Sequence, residues 1–147
     1  ILSEKLKICS HYSDLIPVNL SKENLSEKIM NDTNGWGVDR FFECSGAVKA
    51  YESIFNCCSP GAHVVLIGNN SEPVPMDWAV LFSKGLEYHT VHRYSHQYEP
   101  SLRLLASGKI NVKPMITHTF KFEESVAAFE RAAEHRPSDV KLQIKID

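Results

Sequence analysis

The chain has 147 residues, 43% of them hydrophobic and 23% charged, with a formal net charge of −2. That length can bury a real core, and the balance fits a globular protein rather than a disordered one. The near-neutral charge implies no broad basic surface for nucleic acid or acidic membrane. No apolar run approaches the roughly 20 residues that span a bilayer.

The four cysteines, Cys9, Cys44, Cys57 and Cys58, show no C-x-x-C spacing, and two are adjacent. This argues against a disulfide scaffold or a cysteine zinc site and suits a reducing cytoplasm. No signal-peptide pattern is visible. Residue 1 is Ile rather than Met, and Ser3-Glu4-Lys5-Leu6 is already helix-like. The chain reads as a fragment cut within a fold.

In chain order, 2–12 reads as a helix with Leu2, Leu6 and Cys9 on one face. Residues 15–19 read as a short strand, held to an edge or a strand start by Pro17. Ser21 is the expected N-cap of a helix that buries Leu25, Ile29 and Met30 and stops in Asn31-Asp32-Thr33-Asn34-Gly35. Two β-rich runs follow, 37–47 and 60–70, each ending on small residues around glycine. Between them Val48, Tyr51, Ile54 and Phe55 recur at helical spacing. Strand, helix and strand, with both strands nearly continuously apolar, predict a parallel sheet covered on both faces. A ligand would approach the carboxyl end of such strands, where glycine lets the backbone come close.

Further on, Pro73 and Pro75 mark an extended loop, 76–82 a short helix closed by Gly85, and 86–92 another strand. Residues 98–107 read as a helix stopped by Gly108. The segment 112–120 reads as extended, and 122–134 as a helix with Phe122, Val126, Phe129 and Ala133 on one stripe. In 140–146, Val140, Leu142, Ile144 and Ile146 alternate with polar residues, which predicts a strand with one wet face in a partly antiparallel unit.

Several runs in order resemble the medium-chain zinc-dependent alcohol dehydrogenases. They are Gly37-Val38-Asp39 with Glu43-Cys44-Ser45-Gly46-Ala47, then Pro60-Gly61 with Val65-Leu66-Ile67-Gly68. Val91-His92-Arg93-Tyr94 and Val112-Lys113-Pro114-Met115-Ile116-Thr117-His118 complete the set. The Arg93-Tyr94 pair and the last run are most similar to the polyol branch, the sorbitol and xylitol dehydrogenases.

The resemblance implies an α/β fold: an incomplete Rossmann-type doubly wound parallel sheet over 1–110, then a return segment of the GroES-like catalytic domain over 111–147. It implies that the first strand, the GxGxxG turn, the ribose-binding acid and the zinc ligands precede residue 1. The expected activity is NAD-dependent oxidation of a polyol's secondary alcohol to a ketose, with zinc in the full-length enzyme and this chain alone inactive. Self-association as a dimer or tetramer is expected through the coenzyme domain, near Trp78, Leu81, Phe82 and Leu86. The rival reading is a zinc-free reductase or a non-catalytic binding module of similar fold.

By the same resemblance, Lys5 contacts the adenosine ribose, although it reads equally as a solvated helix lysine. Cys44 and Ser45 would line the adenosine side of the cleft; a plain strand-to-helix turn would look the same. Ile67, Gly68 and Asn69 would approach the nicotinamide. Val91, His92 and Arg93 would form the last coenzyme-contacting strand, and Arg93 with Tyr94 would face the substrate. His89, His92 and His96 do not make a metal site, because His89 and His92 point to opposite faces of a strand. Glu43 has no sequence-near partner and is assigned no chemistry.

Overall fold

The structure is a computed structural model that describes residues 3–146. A short helix α1 (Ser3–Leu6) runs into a 3-10 turn (Lys7–His11). The chain continues through α2 (Leu25–Asp32), β1 (Val38–Glu43), α3 (Val48–Cys57), β2 (Cys58–Leu66), α4 (Trp78–Lys84) and β3 (Glu87–Thr90). It ends with α5 (Tyr98–Ala106), β4 (Ile116–Lys121), α6 (Ser125–Ala133) and β5 (Lys141–Lys145). No helix among the described residues is long and apolar enough to cross a membrane. Leu2, expected on the first helix, lies outside the described residues.

Two compact units emerge: Glu23–His96, and the flanking segments up to Lys22 and from Gln97 onward. In the first, β1, β2 and β3 form a parallel sheet in that order. Phe41, Val64 and Tyr88 are cross-strand neighbours on one face. There they join Ile54, Cys58, Ala62 and Leu86 in the core, with Tyr51 and Phe55 of α3 and Leu81 of α4 packed against them.

The helix ends are satisfied locally. Asn24, not Ser21, caps α2, its Oδ1 accepting from the amides of Ser26 and Glu27 at 3.0 and 3.3 Å. Ser21 is instead absorbed in a turn with Asn19, whose Oδ1 accepts its amide and hydroxyl. Leu25, Ile29 and Met30 are half-buried. Asp77 caps α4, and Gly85 closes it in the left-handed conformation. Lys84 Nζ donates to the carbonyls of Phe55 and Cys58 at 2.7 and 2.8 Å, placing a cation where the α3 dipole ends negatively. Burial pushes the Cys58 thiol up to about 11, so this cysteine is packing rather than a nucleophile.

Further expectations are corrected here. Within the unit Glu23–His96, α3 and α4 both pack on one face of the sheet, while Arg40, Phe42 and His89 are exposed on the other. Residues 15–19 join no ladder among the described residues, and Pro17 lacks an amide donor. Leu86 is core rather than exposed, whereas Trp78 and Phe82 are exposed and in tilted ring contact.

In the second unit, β4 and β5 pair in parallel, not antiparallel. The helical crossover between them returns the chain to the same end, which parallel pairing requires. The wet-face alternation of β5 holds, with Leu142 and Ile144 half-buried between exposed neighbours. The α6 stripe does not: Val126 and Phe129 are each 72% exposed, while Ala128 is the buried contact. A small side chain there lets the helix sit close to the strands. Tyr12 Oη donates to the Asn111 carbonyl at 2.7 Å, tying this unit's two chain segments together. Arg131 clamps Asp139 through two bonds of 2.8 and 2.7 Å.

Candidate functional site

At the carboxyl end of the three-stranded sheet, Glu43 closes β1 with its side chain turned inward and only 2% exposed. Its carboxylate accepts from the Ser45 amide at 2.8 Å, from the Ser45 hydroxyl, and from the Gly46 amide at 3.0 Å. Its carbonyl accepts from the Ile67 and Gly68 amides at 2.8 and 2.9 Å, which fixes the β2 exit against the β1 exit. Burial alone would push this carboxyl up. The Ser45 hydroxyl and the Gly46 and Ser45 amides outweigh burial and hold it below its ordinary value. Glu43 is therefore an ionised knot, not an acid poised to give a proton.

The glycines at the two strand ends touch each other. A methyl group at Gly68 would lie 2.1 Å from the Gly46 amide nitrogen and 2.4 Å from Glu43 Oε2; one at Gly46 would lie 2.4 Å from the Asn69 carbonyl oxygen. Both glycines are demanded by the chain itself.

Beyond this knot lies a cleft of about 400 Å³. One wall is Leu66 to Asn70 leaving β2, the other Thr90 to Arg93 leaving β3, with Tyr51 of α3 behind. The Val91 amide donates to the Leu66 carbonyl at 2.9 Å, and Tyr51 Oη donates to the Gly68 carbonyl at 3.3 Å. Asn70 Oδ1 accepts from the Glu72 amide at 2.9 Å, while its Nδ2 is buried without a partner. Arg93 is held with φ of 57°, in the left-handed region that non-glycine residues seldom occupy.

Six of the residues singled out from sequence, Ile67, Gly68, Asn69, Val91, His92 and Arg93, line this one cleft. Cys44 and Ser45 are exposed in the turn just after Glu43 and are not among the lining residues. The Ser45 hydroxyl oxygen accepts from the Ala47 amide at 3.2 Å at the start of α3. Tyr94 is exposed immediately beyond the lining. Lys5 lies in the other unit, beside a cavity of about 350 Å³ shared with Arg131, His135, Arg136 and Lys141.

A profile of the zinc-binding dehydrogenases matches residues 2–107. The chain belongs to that family. It is 41% identical over 135 residues to the D-xylulose reductase of Morganella morganii, covering 91% of this chain and 40% of that protein. An alcohol dehydrogenase from Thermus sp. ATN1 shares the fold with a TM-score of 0.86 at 24% identity, over 99% of this chain and 42% of its own. A short chain alcohol dehydrogenase from E. coli CFT073, complexed with NADH, does so with a TM-score of 0.83 at 21% identity, over 98% and 42% of the two chains. The chain thus spans about two-fifths of the length of the relatives it matches. The resemblance drawn from its motifs, and the Rossmann-type parallel sheet it implied, are both borne out.

The cleft combines apolar surface with polar groups. It offers apolar faces from Ile67 and Val91, close backbone, an orphaned amide donor on Asn70 and the guanidinium of Arg93. Sequence reasoning missed Tyr51, read as a core stripe residue, and Asn70 and Thr90. The signal for Asn70 was present, since a polar amide directly after a strand-ending glycine run sits where ligands approach. It also missed the knot at Glu43, because the donors that satisfy a turn-following carboxylate are backbone amides and leave no residue signature.

Proposed function

We propose that this chain is the coenzyme-holding part of an NAD-dependent oxidoreductase that oxidises a secondary alcohol of a polyol to a ketose. The observation that carries the reading is the meeting of 67–70 and 90–93 in one cleft at the carboxyl ends of adjacent parallel strands. The substrate class follows the D-xylulose reductase relative and the Arg93-Tyr94 pair. When bound, NAD supplies the hydride acceptor. The chain's own residues would position it: Ile67 and Val91 would pack against the flat ring and keep water from its face. The backbone at Gly68 and Asn69 and the Asn70 amide would bond its carboxamide. Arg93 offers its fork of donors to diphosphate or to substrate hydroxyls, and Tyr94 its hydroxyl to the polyol.

The cleft contains no set of zinc ligands, since His92 is the only histidine, cysteine or carboxylate among its lining residues. We place the family's zinc ligands in the portion of the relatives that this chain does not span, and assign the chain no metal step. We further read 1–110 as coenzyme domain and 111–147 as return segment, a boundary near the end of the family match at residue 107. Self-association would use the exposed Trp78 and Phe82, and the cytoplasm suits the free cysteines. Lys5, Cys44 and Ser45 keep their adenosine-side assignment as part of the proposal.

The test is NADH formation from xylitol and NAD by the full-length polypeptide carrying this sequence, beside the 147-residue chain alone. Turnover is expected from the former and none from the latter. A full-length protein that binds NAD but oxidises no polyol would leave the binding module as the reading.

A further inference from the structure

On the sheet face that α3 and α4 leave bare, three side chains converge. His63 of β2 pairs with Glu87 of β3 in the ladder, and His89 is two residues on from Glu87, on the same face. His63 Nδ1 lies 3.3 Å from His89 Nε2 and 3.3 Å from Glu87 Oε2, and His89 Nε2 lies 3.7 Å from the same oxygen. The His63, Glu87 and His89 side chains are 34%, 59% and 54% exposed. None of the three is among the residues that line the cleft.

A hydrogen-bonded pair needs two atoms in line. Here three lone-pair-bearing atoms form a nearly equilateral triangle. The point equidistant from the corners of a triangle with sides 3.3, 3.3 and 3.7 Å lies about 2.0 Å from each. Zinc binds imidazole nitrogen at about 2.0–2.1 Å and carboxylate oxygen at about 2.0–2.2 Å. Two imidazoles with one carboxylate is a borderline-soft set suited to zinc and its neighbours rather than to calcium or magnesium. All three backbones sit in paired strands, so the sheet holds the three ligand-bearing positions side by side before any ion arrives.

We propose that His63, Glu87 and His89 form a zinc-class divalent-cation site that clips β2 to β3, with water completing the coordination. It stands independently of the coenzyme reading, and none of its ligands is assigned a role in hydride transfer. A sequence scan for local histidine spacing cannot find it, because its third ligand comes from the neighbouring strand.

The test is titration of the purified, chelator-stripped 147-residue chain, which leaves out the portion to which the family's zinc ligands are assigned, with Zn²⁺, and with Co²⁺ as a spectroscopic substitute. Saturation at one ion per chain is expected, with a raised thermal midpoint. The imidazole resonances of His63 and His89 should move together while those of His92 and His96 stay still. The cobalt spectrum should lack a thiolate charge-transfer band. His63→Ala, His89→Ala and Glu87→Gln should each weaken uptake at least about tenfold, as loss of a ligand does, and Cys44→Ser should not. Because the resonance shifts are read on the unaltered chain, they decide the matter even if a variant folds poorly. No uptake, or uptake that leaves both imidazoles unmoved, would reduce the triangle to a hydrogen-bonded His–Glu–His trio and overturn the site.

Discussion

Gly46 and Gly68 meet backbone to backbone at the carboxyl ends of β1 and β2, with no room for a methyl group between them. Glycine at a strand end in this type of fold is readily credited to coenzyme approach, but in this chain the first demand comes from the neighbouring strand. Ligand access is a consequence of how tightly the two exits are joined.

Gly68→Ala should therefore cost stability even with no coenzyme present. Overpacking in a filled site typically costs about 1–3 kcal/mol, and contact with backbone rather than a flexible side chain puts this case at the upper end. Urea denaturation of the apo chain checks it. An unchanged midpoint, with only coenzyme affinity lost, would return the glycine requirement to the ligand.

Glu43→Gln keeps the shape of the knot and removes its charge. Two amides and a hydroxyl now donate to the carboxylate, and bonds to a charged acceptor are the stronger kind, so a loss of about 1–3 kcal/mol is expected. The folded carboxyl titrates below its ordinary 4.5. The charge's contribution is thus present in full above pH 4.5 and fades as pH falls through the lower folded value. Measured midpoints of the native chain and the variant should therefore converge in acid. Parallel pH profiles would mean that the bonds, not the charge, hold the turn.

The contrast between what the sequence revealed and what it concealed has a physical basis. The β1–α3–β2 unit was legible because its signals are local: β-rich runs, helical spacing between them and glycines at the exits. The direction of β4 against β5 was not, because alternation records only which face is wet, whereas direction is set by the crossover. The stripe at Phe122, Val126 and Phe129 misled for a related reason. Apolar spacing shows that a helix has a face to bury, not which neighbour buries it, and here Ala128 makes the contact with the strands. At the candidate site, 67–69 and 91–93 were singled out by the family resemblance, and the parallel pairing of β2 with β3 brings the two segments together. Tyr51 escaped because its apolar ring fits a core pattern while its hydroxyl reaches the Gly68 carbonyl.

Asp139 gives a second pH signature, in the β4–α6–β5 unit. The Arg131 fork donates two bonds to it and pulls the carboxyl from its ordinary 3.8 down to about 2. A depressed folded pKa contributes stability that is complete above 3.8 and disappears as pH falls through about 2. Carboxyl carbon chemical shifts should show Asp139 titrating well below its peers. Arg131→Met should return it to the ordinary range and remove that part of the acid dependence. An Asp139 that titrates normally in the native chain would refute the pairing.

Arg93 combines two properties that substitution can separate: a guanidinium at the cleft and a backbone φ of 57°. If charge is what the coenzyme uses, Arg93→Ala and Arg93→Gly should both weaken NAD binding to the full-length polypeptide. The loss expected for a hydrogen bond to a charged group is about 1.5–3 kcal/mol, or roughly tenfold or more. Glycine accepts the left-handed conformation without strain and alanine does not, so Arg93→Gly should retain the parent's stability better than Arg93→Ala. Calorimetric affinity and thermal midpoint, measured on both variants, resolve the two contributions. Equal affinity for the parent and the glycine variant, with loss only in the alanine variant, would show that the turn rather than the cation shapes the cleft. Arg93 would then cease to be a ligand to the diphosphate or to the polyol.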